Sequence, residues 1–151
     1  MPPVISDSRI TPIGMITISE RGGSIISVRM GQSDSCSRNE TLDDAFGQLN
    51  DYLIGDRRSF SLDLDPEGTD FQKDVWNALL KVPYGRTISY SGLADASGHP
   101  QAVRAVGNAM RNNPIPIVIP CHRVIRSDGS IGGYALGLDL KTRLLKLEGI
   151  L

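Results

Sequence analysis

Residues 87–111 read T-I-S-Y-S-G-L-A-D-A-S-G-H-P-Q-A-V-R-A-V-G-N-A-M-R, and this stretch decides the architecture of the second half of the chain. Ser91–Ser97 reads as a short helix and G98-H-P as a turn. Pro100, at a first helical position, opens a second helix over 101–111. Two helices joined by a short glycine-containing turn form a helix-turn-helix signature. On the second helix Gln101, Arg104, Asn108 and Arg111 share one face, while Ala102, Val103, Val106, Ala109 and Met110 line the other. A recognition helix needs that layout, with donors toward nucleic acid and an apolar side against its own core. The small residues Ala102, Ala105, Gly107 and Ala109 let its backbone approach a groove closely. An ordinary solvated surface helix has the same pattern, so the face alone leaves both readings open.

Charge tips the balance. The 151 residues carry a net charge of −1, but unevenly. Residues 1–69 hold six basic and eleven acidic side chains, a net of −5; residues 70–151 hold ten and six, a net of +4. That asymmetry favours an anionic partner for the second half. A composition of 40% hydrophobic and 22% charged residues is that of a globular protein able to bury a core without metal or disulfide staples. No run approaches the roughly 18 apolar residues of a membrane span, and M-P-P-V-I-S-D-S-R lacks the layout of a signal peptide. The expectation is a cytoplasmic protein (nuclear in a eukaryote), with no membrane association and with its two cysteines reduced.

Upstream of the helix-turn-helix, T69-D-F-Q is a capping box opening a helix with Phe71, Val75, Leu79 and Leu80 on its apolar stripe. Before it, D65-P-E-G is a turn-rich break. The first segment reads as a turn at I10-T-P-I-G, then a hairpin over 15–30, a Ser/Asp-rich loop over 31–39, a helix over 41–53 and a last strand at S59-F-S-L-D-L. K141-T-R-L-L-K-L-E-G closes the chain as a helix stopped by Gly149. The expected fold is α+β: a small sheet-plus-helix domain over 1–66, and a mainly helical domain over 67–151 carrying the helix-turn-helix.

Within that second domain I-V-I-P-C-H-R-V-I-R, residues 117–126, places Cys121 beside His122 and Arg123 in an aliphatic run. A buried cysteine in such a strand is commonly an inert small hydrophobe. A reactive one needs a base or positive charge to favour the thiolate. Neighbours along a strand point to opposite sides, so His122 would reach Cys121 only through a bridging water or a turn. Cys36, His99, Cys121 and His122 have no zinc spacing. Glu148 matters only if the fold carries it to His122, where it would orient the imidazole.

Together these residues resemble the O6-alkylguanine-DNA alkyltransferases, the methylated-DNA–protein-cysteine methyltransferases. The resemblance covers about residues 68–151. It rests on F71-Q-K-D-V-W-N-A-L, V82-P-Y-G, T87-I-S-Y-S-G-L-A, R104-A-V-G-N-A-M-R-N-N-P, I119-P-C-H-R-V-I, G132-G-Y and L147-E-G. Residues 1–67 match loosely. The resemblance implies irreversible transfer of an alkyl group, mainly methyl, from O6 of guanine (and O4 of thymine) in double-stranded DNA to the protein's own cysteine. It implies minor-groove binding, base flipping, one event per molecule, no cofactor, and a monomer. Cys121 would be the acceptor, His122 its base through a water, Glu148 the residue orienting His122, and Tyr90 the proton donor toward O6. Arg104 would fill the gap left by the flipped base, with Ser89, Gln101, Ala102, Asn108 and Arg111 along the DNA. Met110, Asn113, Val124, Tyr134, Ala135 and Leu136 would line the pocket, with Asn113 tying the recognition helix to the cysteine segment.

Two departures stand out. Where the family often has serine and a small residue after G-G-Y, this chain has Ala135 and Leu136, which predicts that methyl is accepted and bulky benzyl groups react poorly. The N-terminal zinc ligands of some members have no counterpart, which predicts no metal.

Overall fold

R21-G-G-S turns the chain back on itself because Gly22 and Gly23 both take positive φ, 61° and 90°, as a two-residue hairpin turn requires. The computed structural model describes all residues, Met1–Leu151, which divide into two units, Met1–Glu67 and Gly68–Leu151. In the first, strands β1 (Val4–Thr11), β2 (Gly14–Arg21) and β3 (Ser24–Met30) form an antiparallel sheet in that order. Helix α1 (Glu40–Leu53) packs on β1 and β2 and buries Leu42, Ala45, Phe46, Leu49, Tyr52 and Leu53. Asn39 caps it, its side chain accepting from the Leu42 amide at 2.8 Å.

One expectation for this unit fails, and one strand goes beyond what was expected. The segment before Thr11 is a full strand, hidden in the sequence because hydroxyls take the place of apolar alternation. Ser6 pairs with Ser19 and Ser8 with Thr17 across the ladder, each at 2.7 Å. Residues 59–64 form no strand: Leu64 alone makes a parallel bridge, to Ile25, and Asp63 and Asp65 supply its two backbone hydrogen bonds.

The second unit is mainly helical, so the molecule as a whole is α+β. Helix α2 (Asp70–Leu80) begins at the expected capping box, Thr69 and Gln72 each bonding the other's amide. It buries Val75, Trp76, Ala78 and Leu79; Phe71 is half-buried, and Leu80 is exposed rather than on the apolar stripe. The Trp76 indole donates to the Ala109 carbonyl at 2.8 Å, and Gly68 is the residue that fits beneath it, since a Cβ there would lie 2.5 Å from the ring. Helices α3 (Tyr90–Ala96) and α4 (Val103–Arg111) pack on α2 and on each other. Pro100 and Gln101 lie in the turn, so α4 starts two residues later than the expected 101, at Val103, with Ala102 as a cap that makes no side-chain bond. Val106, Ala109 and Met110 are buried, but Val103 is 38% exposed and does not belong to the inner face.

Beyond α4 the chain runs through a buried stretch that includes Ile117 at φ 74°, a left-handed conformation that a β-branched residue rarely adopts. A 3₁₀ turn follows at Cys121–Arg123, then strand β5 (Val124–Ile125), which pairs in parallel with β4 (Ile88–Ser89). Helix α5 (Leu138–Leu147) ends the chain. The β4–β5 pair brings the start of α3, with Tyr90, beside the segment leaving Cys121.

Candidate active site

Cys121 does not sit in a strand. Its amide bonds back to the Ile119 carbonyl at 2.8 Å and the Arg123 amide to that of Pro120 at 3.0 Å, so the chain coils for one turn at the thiol. That turn matters because strand neighbours would point to opposite sides. Here His122 and Arg123 instead reach the same carboxylate. His122 Nε2 lies 2.7 Å from Glu148 Oε2, while Arg123 donates from Nε to Oε1 at 2.8 Å and from Nη2 to Oε2 at 3.0 Å. Glu148 caps the end of α5 and also accepts from the Gly85 amide at 3.0 Å. Its four donors come from the turn and from the V82-P-Y-G segment, which accounts for a carboxylate with a fully buried side chain.

The thiol is 3% exposed. Burial pushes its pKa up, opposed by the Asn113 hydrogen bond, the nearby Lys141 charge and a hydrogen bond with Tyr134. Asn113 donates from Nδ2 to the Ile119 carbonyl at 2.9 Å and to Sγ at 3.4 Å, and its Oδ1 accepts from the Ile115 amide at 2.9 Å. It therefore links the end of α4 to the cysteine turn. Burial also lowers the His122 pKa, with Glu148 pulling the other way and Arg123 and Lys141 adding to the depression. Burial thus disfavours both the thiolate and the imidazolium, and with Nε2 bonded to the carboxylate, Nδ1 is the ring nitrogen placed to act as a base.

Lys141 is a functional candidate absent from the sequence reading. Its side chain is fully buried, with Nζ donating to the carbonyls of Val124 at 2.6 Å and Gly133 at 2.9 Å, and burial lowers its pKa to about 8. In sequence it looks like one more charge on the final helix; no local signal marks it as inward. Arg123, a candidate positive charge for the thiol in the sequence, is instead engaged with Glu148.

The remaining residues fall into two groups. Close to the thiol lie Asn113 and Tyr134, whose ring stands edge-on to His122 at 6.5 Å; Val124 and Met110 are buried. Tyr90, half-buried, packs against Gly132, where a Cβ would lie 2.9 Å from its hydroxyl. Ala135 is exposed and Leu136 half-buried in the turn closed by the Gly137 amide on the Tyr134 carbonyl. On the outer side of α4, Arg104, Asn108 and Arg111 are exposed, Arg111 donating to Asn108 at 2.6 Å. Gln101, Ala102 and Ser89 precede their helices rather than lying within them, and Ser89 caps α3 through the Gly92 amide. No group of three or more His, Cys, Asp or Glu side chains is placed to hold a metal ion.

A buried thiol, an imidazole, a carboxylate bonded to that imidazole and a helix-turn-helix in one unit are the parts that a nucleophile with its base and a DNA-binding surface would need. Comparison with known proteins points the same way. Residues 70–150 match the DNA binding domain of 6-O-methylguanine DNA methyltransferase, and residues 10–66 its ribonuclease-like domain. The methylated-DNA–protein-cysteine methyltransferase of Methanosarcina acetivorans is 47% identical over 147 residues, covering 92% of this chain and 94% of the relative. That of Mycobacterium tuberculosis is 45% identical over 145 residues, covering 91% and 88%. Among solved structures, the Mycobacterium tuberculosis O6-methylguanine methyltransferase superposes with a TM-score of 0.86 at 41% identity, covering 97% of this chain and 93% of that one. Mycobacterium tuberculosis OGT in complex with DNA gives 0.87 at 42%, covering 95% and 91%.

Proposed function

This chain belongs to the 6-O-methylguanine DNA methyltransferase family, and from that premise we propose that Cys121 is the residue that accepts the alkyl group. The protein is a DNA-binding methyltransferase that repairs DNA by transfer of an alkyl group to a cysteine of its own. The observation that carries the assignment is the buried His122–Glu148 pair, 2.7 Å apart, one residue beyond a buried thiol.

The reaction runs as follows in this reading. The helix-turn-helix docks in the minor groove of duplex DNA, and the O6-alkylguanine turns out of the stack, because a stacked base cannot present its O6 substituent to a buried sulfur. Arg104, exposed on α4, fills the gap. Gln101, Ala102, Asn108, Arg111 and Ser89 contact the strands, and Tyr90 holds the turned-out nucleotide. The Cys121 proton passes through a water to His122, whose tautomer Glu148 fixes. The thiolate attacks the alkyl carbon, the carbon–O6 bond breaks, and a proton from Tyr90 meets the leaving guanine oxygen. A thioether remains, and since no group here can hydrolyse it, each molecule acts once.

Met110, Asn113, Val124, Tyr134, Ala135 and Leu136 form the base pocket, with Leu136 narrowing it so that methyl is preferred to benzyl; O4-methylthymine is a second substrate. The protein works as a monomer and without cofactor. No helix is long and apolar enough to cross a membrane, and a DNA substrate places the protein with the chromosome, in the cytoplasm or a nucleus.

Intact mass after incubation with an O6-methylguanine duplex tests the reading. The expected result is a gain of one CH2 unit per protein, mapped to Cys121 and absent in Cys121→Ser, which still binds DNA. Repeated turnover, or binding with no gain in mass, would overturn it.

A further inference from the structure

The transferase reading gives work to Cys121, His122, Glu148 and Tyr90 and leaves a buried guanidinium without any. Arg123 is 7% exposed. Its fork meets both oxygens of Glu148, its Nη1 donates to the Val82 carbonyl at 2.8 Å, and its guanidinium lies 5.8 Å from the centre of the Tyr84 ring. Tyr84 is held in turn by its hydroxyl on the Leu147 carbonyl at 3.1 Å, next to Glu148 in sequence. The arginine is thus clamped from the V82-P-Y-G segment on one side and from the end of α5 on the other.

We propose that Arg123 is a positioning residue for the transfer: its fork fixes the plane of the Glu148 carboxylate and offsets its charge, so that His122 meets an oriented acceptor rather than a bare anion. This rests on the transferase reading. A lone buried carboxylate 2.7 Å from an imidazole would draw a proton onto that pair, and an imidazolium cannot accept the proton of Cys121. With Arg123 in place, a resting imidazolium would be a second cation on a carboxylate already paired. His122 therefore stays neutral until the thiol gives up its proton. Lys141 from α5 also disfavours a second cation at His122, and the Tyr134 ring stands edge-on to it. Only Glu148 acts in the opposite direction, and Arg123 is the residue bonded to both its oxygens. A lysine could supply the charge but not the planar fork.

The chain has two histidines, so imidazole NMR of the whole protein follows His122 with His99 as an internal reference. In Arg123→Gln the His122–Glu148 pair should take up its proton at a pH higher by about one unit or more than in the parent. The acid limb of the single-turnover methyl-transfer rate should move with it. Adding Glu148→Gln should cancel the shift, because the anion that causes it is gone. Arg123→Lys keeps a charge and loses the fork; its acid limb should stay in place while the rate falls at every pH.

Overturning results are equally definite. A folded Arg123→Gln variant whose rate falls evenly, with the acid limb and His122 signals unmoved, makes Arg123 a structural residue only. If Arg123→Gln does not fold, a displaced acid limb or an undiminished rate in Arg123→Lys refutes the proposal. Failure of the parent protein to take a methyl group would instead remove the transferase reading, leaving the NMR titration as an independent check on Arg123.

Discussion

Arginine meets carboxylate in both halves of this molecule, under opposite conditions. In the first unit Arg9 bridges Asp7 and Asp43 and lies over the Phe46 ring, with Arg38 also on Asp43; Asp43 is 47% exposed and Arg38 75%. In the second, Arg123 and His122 share Glu148 with side-chain exposures of 8%, 0% and 0%. Water and salt can replace the first set's pairs at Asp43, so their loss changes little, whereas Arg9 and Asp7, at 24% and 10%, are less accessible. Nothing can replace the second, because each charge left alone there is stranded in a medium that cannot solvate it. Buried ion pairs are often no more stabilising than apolar residues of the same volume. The ion pairs at Glu148, with the buried Lys141 ammonium on two carbonyls near the thiol, therefore point to chemistry rather than to stability as the reason for burying charge there.

Breaking the buried cluster should give the largest effect. Glu148→Ala leaves Arg123 without its partner and should cost about 3–5 kcal/mol of stability in urea titration. Methyl transfer at neutral pH, measured on the fraction still folded, should fall by about a hundredfold or more as the imidazole loses its orientation. A midpoint no lower than that of an Asp43 variant would erase the contrast between the two clusters.

Lys141→Met comes next. It leaves the Val124 and Gly133 carbonyls without their donor, at a cost of about 1–3 kcal/mol. The effect should depend on pH with a definite sign. Burial lowers the Lys141 pKa from 10.5 to about 8, so between those values the unfolded chain holds a proton that the folded one has released. The stability of the lysine-containing protein relative to the variant should therefore rise as pH climbs from 8 toward 10.5. Carrying out both titrations in a Cys121→Ser background removes the thiol's own ionisation. A difference that shrinks over this range would mean the folded protein holds the proton more tightly than the unfolded chain.

The contrast also marks what the sequence could reveal. Local rules located the capping box at Thr69 and Gln72, the α1 stripe and the two helices around G98-H-P, because each depends on residues a few positions apart. The pairing of His122 with Glu148 was legible through resemblance, since no local rule joins residues 122 and 148. Illegible were features set by long-range geometry. Reading 117–126 as a strand puts neighbouring side chains on opposite sides, and only the 3₁₀ turn at Cys121 brings His122 and Arg123 to one carboxylate. Strand β1 escaped because its ladder is made of serine and threonine pairs. Lys141 escaped because a buried ammonium and a surface one look alike until the carbonyls that hold it are in place.

The surface cluster supplies the smallest effect and the control. The hydrogen bond from Arg9 holds the Asp43 carboxyl below its ordinary pKa, with Arg38 adding to the depression, so whatever the cluster contributes is present at neutral pH and is lost on acidification toward the carboxylate range. Asp43 is one of two first-turn acids of α1, with Glu40, a position that favours its charge as well. Asp43→Asn keeps the shape and removes the charge. Its urea midpoint at neutral pH should stay within measurement error of the parent, and the small difference that survives averaging should disappear in high salt. Methyl transfer should be unchanged, because Asp43 takes no part in the Cys121 network. A salt-insensitive loss of stability in this variant would mean that Arg9, packed over Phe46, depends on Asp43 as strongly as Arg123 depends on Glu148. Exposure would then be the wrong variable for telling the two clusters apart.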